Sequence, residues 1–302
     1  MRNLLIYRYV DAVARTGSIR KAADQLAITP SALNRRILAL EQELDVPIFE
    51  RLGRGVRLST AGEILIHMFR QQLADVDRVK SQLADLSGLR RGHVSMACSQ
   101  ALLPYFLPEE IHNYQDAHPD VTFGIQIRDG DQAEEALLNY SADLALVFEP
   151  LSLADFQTIL RVPQPIHAVM SKWHPLAKEK TAKLSQCLEY PLALPSQPYA
   201  VRNVLEVAAA RMSVKLTPAV EAESYIFLRN FARMKNAITF EIKIGVPQNL
   251  VDTSVVSVPL ESPGLSDGLL HLAQLRGRPL SVAAARFADQ LSDRFNEMYE
   301  TV

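Results

Sequence analysis

No run of apolar residues in this chain is longer than a few positions. Leu144-Ala145-Leu146-Val147-Phe148 is representative, and it falls far short of the roughly 18 residues a membrane-spanning helix requires. The chain is therefore expected not to cross a membrane. Near the start, Leu4-Leu5-Ile6-Tyr7 is broken by Arg8 and then Asp11, which leaves no secretory apolar core of ~7–15 residues, so a cytoplasmic location is expected. Cysteine is almost absent. Cys98 and Cys187 are too few for a disulfide framework and have no C-x-x-C spacing, so both are read as buried small hydrophobes. Glycine is scarce, twelve in 302 residues, which disfavours a dinucleotide-binding fold. The chain contains no phosphate-cradling glycine loop and no H-E-x-x-H, and its seven histidines never pair at ligand spacing. No enzyme activity, cofactor or metal is expected.

What is present is an uneven distribution of charge. Residues 1–62 hold ten lysines and arginines against six acidic residues, leaving +4 on this head and −6 on the remainder. A basic head on an acidic body suggests that the head meets a polyanion. Ile6, Tyr9, Val10 and Val13 recur at helical spacing over Leu5–Arg15, and Gly17-Ser18 closes that helix and caps a second one over Ile19–Leu26. After a tight turn at Ala27-Ile28, Thr29 can cap a third helix, with Pro30 at its first position and an end near Leu44.

On a helical wheel Leu33, Ile37, Leu40 and Leu44 form the buried stripe of this third helix. The opposite face carries Ser31, Asn34, Arg35 and Leu38. Such a set can lie in a DNA major groove, where Asn and Arg read base edges and Ser holds a phosphate; a solvated amphipathic helix in an ordinary bundle is the alternative. Phe49–Gly62 then reads as a short two-stranded ribbon tipped by Gly53-Arg54-Gly55 and flanked by Arg51 and Arg57, suited to the sugar-phosphate backbone.

The stretch Gly17-Ser18-Ile19-Arg20-Lys21-Ala22-Ala23-Asp24-Gln25-Leu26, with Thr29-Pro30-Ser31-Ala32-Leu33, Ile37, Leu40-Glu41, Leu44, Phe49, Arg51 and Leu58-Ser59-Thr60-Ala61-Gly62, resembles the winged helix-turn-helix head of LysR-type transcriptional regulators. Two positions depart from the family pattern. Asn34 stands where the recognition helix usually has serine, and Asp45 stands where glycine usually follows the leucine. The candidate contacts to double-stranded DNA are Ser18, Arg20, Thr29, Pro30, Ser31, Asn34, Arg35, Arg36, Arg51, Arg54 and Arg57.

From Ala61 to Leu86 there is no proline, and Leu65, Phe69, Leu73, Val76, Val79, Leu83 and Leu86 repeat as a coiled-coil seam. A rod of this length is too long to bury its stripe against a small head, so it either packs on its own C-terminal domain or pairs with a second copy. The resemblance implies pairing, as a homodimer or homotetramer whose heads meet two half-sites. Ser87-Gly88 and Arg90-Arg91-Gly92 read as a hinge.

Beyond Gly92, strands at His93–Cys98, Val121–Arg128 and Asp143–Phe148 alternate with helices at Ala101–His118 and Asp131–Tyr140, a pattern that predicts α/β architecture with a parallel sheet. A similar series follows, from Ile166–Ser171 through Val255–Pro259 and Leu269–Leu275 to a final helix ending near Tyr299. The organisation expected is a winged helix-turn-helix domain over 1–60, a linker helix and hinge over 61–92, and a two-lobed domain over 93–302 that resembles periplasmic binding proteins. One lobe spans about 93–163 plus the C-terminal helix, and the other about 164–266.

Ligands of open α/β folds sit beyond the carboxyl ends of strands and near helix starts, which selects Ser99 and Gln100, Arg128 and its neighbour Asp129, Glu149, Ser196 and Gln197, and Arg202. Helix-start amides plus arginine would suit a carboxylate effector. The leading expectation is a regulator that binds promoter DNA and responds to a small-molecule effector. The competing one is an α/β solute-binding or enzymatic protein with an incidental helical N-terminus.

Overall fold

The computed structural model describes residues 2–86, 91–149, 155–246, 254–263, 265 and 267–299. It divides the chain into two units, one built on Met1–Leu89 and the other on Arg90–Leu138 with Ala142–Val302. The hinge residues Ser87, Gly88 and Arg90 lie outside the described residues.

In the first unit, α1 (Arg2–Thr16), α2 (Ile19–Gln25) and α3 (Pro30–Leu44) precede an antiparallel ribbon of β1 (Phe49–Arg51) and β2 (Val56–Leu58), and α4 (Thr60–Leu86) follows. The helix starts follow from residue chemistry. Ser18 Oγ accepts from Lys21 N at 3.4 Å, Thr29 Oγ1 accepts from Ala32 N at 3.3 Å, and Pro30 takes the first helical position, where no amide partner is missed. α3 ends on Asp45 in the left-handed region, φ 52°, which a short polar side chain tolerates better than most.

Leu33 and Ile37 are buried among Tyr9, Val13, Ala22 and Ala23. The buried stripe is shorter than its pattern. Leu40 is half-buried, and Leu44 is 39% exposed because it stands in the last turn, past the packed face. The start of α4 packs on α1, with Ile66 and Phe69 buried beside Val10 and Ile48 and the rings of Tyr7 and Phe69 stacked 4.2 Å apart. Arg70 Nε donates to Asp11 Oδ1 at 2.6 Å, and Arg15 takes the other oxygen at 2.8 Å. Farther along the expected seam, Val79 and Leu83 are 46% and 58% exposed.

The second unit contains two sheets. β3 (Gly92–Cys98), α5 (Phe106–Ala117), β4 (Val121–Ile127), α6 (Asp131–Leu138), β5 (Leu144–Phe148) and β6 (Phe156–Gln164) open the first. β7 (Ile166–Ser171), β8 (Ala182–Lys183), α7 (Leu184–Cys187), β9 (Leu192–Pro195), α8 (Ala200–Arg211), β10 (Pro218–Ala222), α9 (Tyr225–Lys235), β11 (Thr239–Ile242) and β12 (Val255–Glu261) form the second. The chain then returns to the first sheet with β13 (Gly268–Leu275) and α10 (Val282–Tyr299).

The first sheet runs β4-β3-β5-β13-β6 and the second β11-β7-β12-β8, with the parallel pair β9/β10 tied to β11 by the bridge Leu192–Ile238. The alternating pattern predicts parallel strands throughout; instead β13 runs antiparallel between β5 and β6, so the sheet is mixed. β6 is a strand that the pattern does not predict. Pro163 argues against a strand, but β6 lies at the sheet edge, where a missing N–H is tolerated.

The single helix expected over Ala101–His118 is also divided. A 3-10 turn at Gln100–Leu102 and a bend through Pro104 precede α5. α5 and α10 cover one face of the first sheet, where Phe106 stacks on Phe295 at 4.8 Å and Tyr114 donates to Ala283 O at 3.1 Å. One buried core, including Met96, Phe240, Phe287 and Phe295, continues through both sheets. Cys98 and Cys187 lie inside it, and burial pushes both thiols up to about 12, Asp129 adding to the effect at Cys98.

His167 on β7 is buried, with Nδ1 3.3 Å from Ser257 Oγ. Burial, helped by the charge of Lys243, lowers its pKa from the ordinary 6.5 to about 4. The unfolded chain therefore takes up this proton first, and stability is lost as pH falls from 6.5 through about 4. Chemical denaturation across that window should give a shallower loss for His167→Gln than for the native chain, and equal slopes would show that this imidazole does not contribute.

Candidate DNA interface and ligand site

α2, α3 and the ribbon converge on one groove of about 450 Å³, lined by Ile19, Pro30, Ser31, Asn34, Arg51, Leu52, Gly55 and Val56. Asn34 is half-buried in its wall, while Thr29, Ser31 and Arg35 are exposed on the same helix, and Thr29 Oγ1 lies 3.3 Å from Ser31 Oγ. The root of the ribbon is held firmly. Glu41 Oε1 accepts from Ile48 N at 2.7 Å and Phe49 N at 3.0 Å, and Val56 N donates to Gly17 O at 2.9 Å. Gly55 passes so close to the α1–α2 corner that a Cβ there would stand 2.4 Å from Gly17 O, and its φ is +88°.

The arginines of the head fall into two groups. Arg36 Nη1 donates to Tyr9 Oη at 2.6 Å with its guanidinium over the Tyr9 ring, and Arg57 pairs with Glu50 across the ribbon at 2.7 Å. Arg20, Arg35, Arg51 and Arg54 are exposed, and among the described residues none has an acidic partner within ion-pair distance. Ser18 serves as a helix cap.

In the second unit the residues expected at a ligand site separate. Ser99 Oγ donates to the Asp129 carboxylate and accepts from Phe148 N at 3.3 Å. Gln100 Oε1 accepts from Tyr225 N at 2.7 Å, which brings the start of α9 against the end of β3. Arg128 is exposed and turns back to the carbonyl of Ile127 at 3.0 Å.

Glu149 belongs to the sheet. Its amide donates to Leu269 O at 2.9 Å, and its Oε1 accepts from Leu269 N at 2.6 Å. Ser196 N donates to Ala222 O at 3.1 Å, and Gln197 is exposed. Arg202 is buried inside an internal network, donating to Glu206 at 2.7 Å, Glu221 at 3.1 Å and Pro195 O at 3.2 Å, so its guanidinium is not turned toward an incoming anion.

Sequence reasoning missed a second charged knot. Arg229 Nε and Nη2 reach the two carboxylate oxygens of buried Glu241 at 3.0 and 2.6 Å, Nη2 also donates to Gly245 O at 2.9 Å, and Nη1 donates to Tyr105 Oη at 2.8 Å. Tyr199 and Tyr225, with ring centroids 6.2 Å apart, were missed as well. No local motif marks these residues, since each partner lies far away in the sequence or on another element.

A capped helix over a basic ribbon, followed by two α/β sheets with a polar meeting point between them, defines a DNA-binding regulator with its own ligand-binding unit. Residues 6–63 match the profile described as bacterial regulatory helix-turn-helix protein, lysR family, and residues 87–296 match the LysR substrate binding domain. The chain belongs to the LysR family of bacterial transcriptional regulators.

The HTH-type transcriptional activator CmpR of Synechocystis sp. is 27% identical over 226 residues, 74% of this chain and 74% of CmpR. A full-length OxyR variant from Pseudomonas aeruginosa shares the fold with a TM-score of 0.71 at 18% identity, covering 97% of this chain and 94% of OxyR. Full-length CbnR, solved in complex with its target DNA, superposes with a TM-score of 0.65 at 17% identity, covering 96% of this chain and 99% of CbnR. The protein is a DNA-binding regulator that responds to small-molecule effectors and forms oligomers; it is not an enzyme.

Gly55→Ala should push the ribbon off the α1–α2 corner. We expect a stability loss of about 1–2 kcal/mol in denaturation curves. Duplex affinity should fall for every sequence while the order of base preferences survives. Unchanged affinity would show that ribbon placement is immaterial to binding.

Proposed function

We propose that α3 enters the major groove of promoter DNA with Ser31, Asn34 and Arg35 foremost, and that the ribbon lies on the sugar-phosphate backbone through Arg51 and Arg54. The observation that carries this reading is the groove in which Asn34, Ser31 and Arg51 meet, beside arginines that have no acidic partner among the described residues. Asn is a two-point reader of adenine edges, whereas the tip arginine sees charge alone. Thr29 and Pro30 set the start of the reading helix, and Ser18 and Arg20 stand at the start of α2, within reach of the backbone.

In this reading Arg36 and Arg57 hold the head together and do not touch DNA, since Tyr9 and Glu50 already engage them. The structure of CbnR with its target DNA supports the same use of the shared fold. The exposed stretch of α4 around Val79 pairs two chains, so that two heads meet two half-sites. The two sheets of residues 93–302 act as lobes about an effector cleft, and the protein works in the cytoplasm, where it shifts how the paired heads sit on DNA.

Binding isotherms against variant duplexes test the head. Asn34→Ala should relax preference at one or two base pairs, by roughly 1–3 kcal/mol for each base no longer read. Arg54→Ala should weaken all duplexes alike and reduce the slope of log affinity against log salt by about 0.9. A uniform loss from Asn34→Ala would remove α3 from the groove. In sedimentation, Val79→Lys should shift the chain toward monomer, and an unchanged assembly would move the pairing surface elsewhere.

A further inference from the structure

Asp129 is a carboxylate set among partners that fix its position without cancelling its charge. It follows β4 and returns beside the end of β3, where the Ser99 hydroxyl and the Gln100 backbone amide donate to it. Facing it from the second sheet are Tyr225, the first residue of α9, and Tyr199, the cap residue of α8, and its charge reaches both phenols. Burial raises the pKa of Asp129, against the lowering effect of its two hydrogen bonds.

Among the described residues no lysine or arginine comes within ion-pair distance of this carboxylate, and the arginines of the neighbouring elements are committed elsewhere. Arg202 is held by Glu206 and Glu221, Arg229 by Glu241 and Tyr105, and Arg128 by the Ile127 carbonyl. A half-desolvated carboxylate beside aromatic rings, with no resident counter-charge, is the complement of a cation.

We infer that Asp129 is the recognition group of the ligand site and that the effector carries an ammonium group, held between the Asp129 carboxylate and the Tyr199 ring. The inference rests on the reading that the two sheets enclose the effector cleft. It replaces the free carboxylate suggested by the arginines, because Arg202 is already neutralised by Glu206 and Glu221, and Arg128 is exposed and turned back to the Ile127 carbonyl. The electropositive feature on the opposite side is the start of α8, whose cap residue Tyr199 makes no side-chain bond to the first turn. An amino acid would therefore meet complementary charge at both ends, whereas a simple amine would meet it at one.

Isothermal titration calorimetry on the full chain separates these cases with three kinds of probe: 1,4-diaminobutane as an amine, L-lysine and L-leucine as zwitterions, and benzoate and succinate as carboxylates without an amine. We expect at least one ammonium-bearing probe to bind, to bind about ten- to a hundredfold more weakly to Asp129→Asn, and the carboxylates to give no heat. Native circular dichroism and unchanged duplex affinity would show that the Asp129→Asn chain is intact; the native chain's response to the panel decides the matter even if that variant does not fold.

Silence from every ammonium-bearing probe, or equal binding to the native chain and Asp129→Asn, overturns the inference. A carboxylate that binds the native chain but not Tyr199→Ala would overturn the ammonium assignment while keeping the cleft. Binding of any probe that is insensitive to both variants would remove the cleft reading itself.

Discussion

A charged side chain taken out of water costs several kcal/mol unless an opposite charge and hydrogen bonds meet it, and the arrangement of this protein follows from how each charge satisfies that condition. Arg229 is closed on both oxygens of Glu241 and on a carbonyl, and Arg202 is closed on two glutamates and a carbonyl. Both are structural, because nothing remains for an outside partner to neutralise. Arg35, Arg51 and Arg54 sit in water, where an unpaired charge costs little, on the elements that frame the groove of the head. The same residue type is a strut in one unit and, in the proposed binding mode, a docking group in the other, and only its surroundings distinguish the two.

That distinction decides what was legible beforehand. The head could be read almost to the residue because its signals are local. Thr29 caps the amide three positions on, Pro30 is suited to the first turn, and the glycines at the ribbon tip stand beside the residues they release. Where the expectation failed, the cause was distant. Leu44 continues the apolar period of α3 but stands past the packed face, and β6 became a strand because β13 arrives more than a hundred residues later to pair with it. Arg202 carried the same signal as Arg35, an arginine near a helix start. Glu221, which neutralises it together with Glu206, is nineteen positions away on another element, and spacing alone does not show it.

α4 carries one apolar period with two fates. Ile66 and Phe69 find α1, locked by the Arg70–Asp11–Arg15 cluster and the Tyr7–Phe69 stack, while Val79 keeps its exposure. A helix of 27 residues extends about 40 Å at 1.5 Å per residue, well beyond what three short helices can cover. The head thus fixes the direction of the rod without consuming its whole apolar face, which is the condition for a helix to serve its own domain and a second chain together.

The polar tie between the two sheets is small by comparison. Of the bonds around Arg229, those to Glu241 and Gly245 stay within the second sheet and its following turn, and only the bond to Tyr105 reaches the first. Two further crossing bonds, Tyr225 N to Gln100 Oε1 at 2.7 Å and Ile244 N to Gln164 Oε1 at 3.0 Å, join neutral groups. A hydrogen bond to a charged group contributes about 1.5–3 kcal/mol and a neutral one about 0.5–1.5, so breaking these three costs roughly 2.5–6 kcal/mol. A ligand of millimolar affinity binds with about 4 kcal/mol, enough to shift the balance between two sheet orientations if it favours one of them. Because Gln100 and Asp129 flank the same end of β3, a molecule seated there would act on the Gln100 crossing bond directly. The cleft therefore requires no long relay between ligand and lobe angle: Asp129, which would sense the effector, is bonded by the backbone amide of Gln100, the residue whose side chain joins the two sheets.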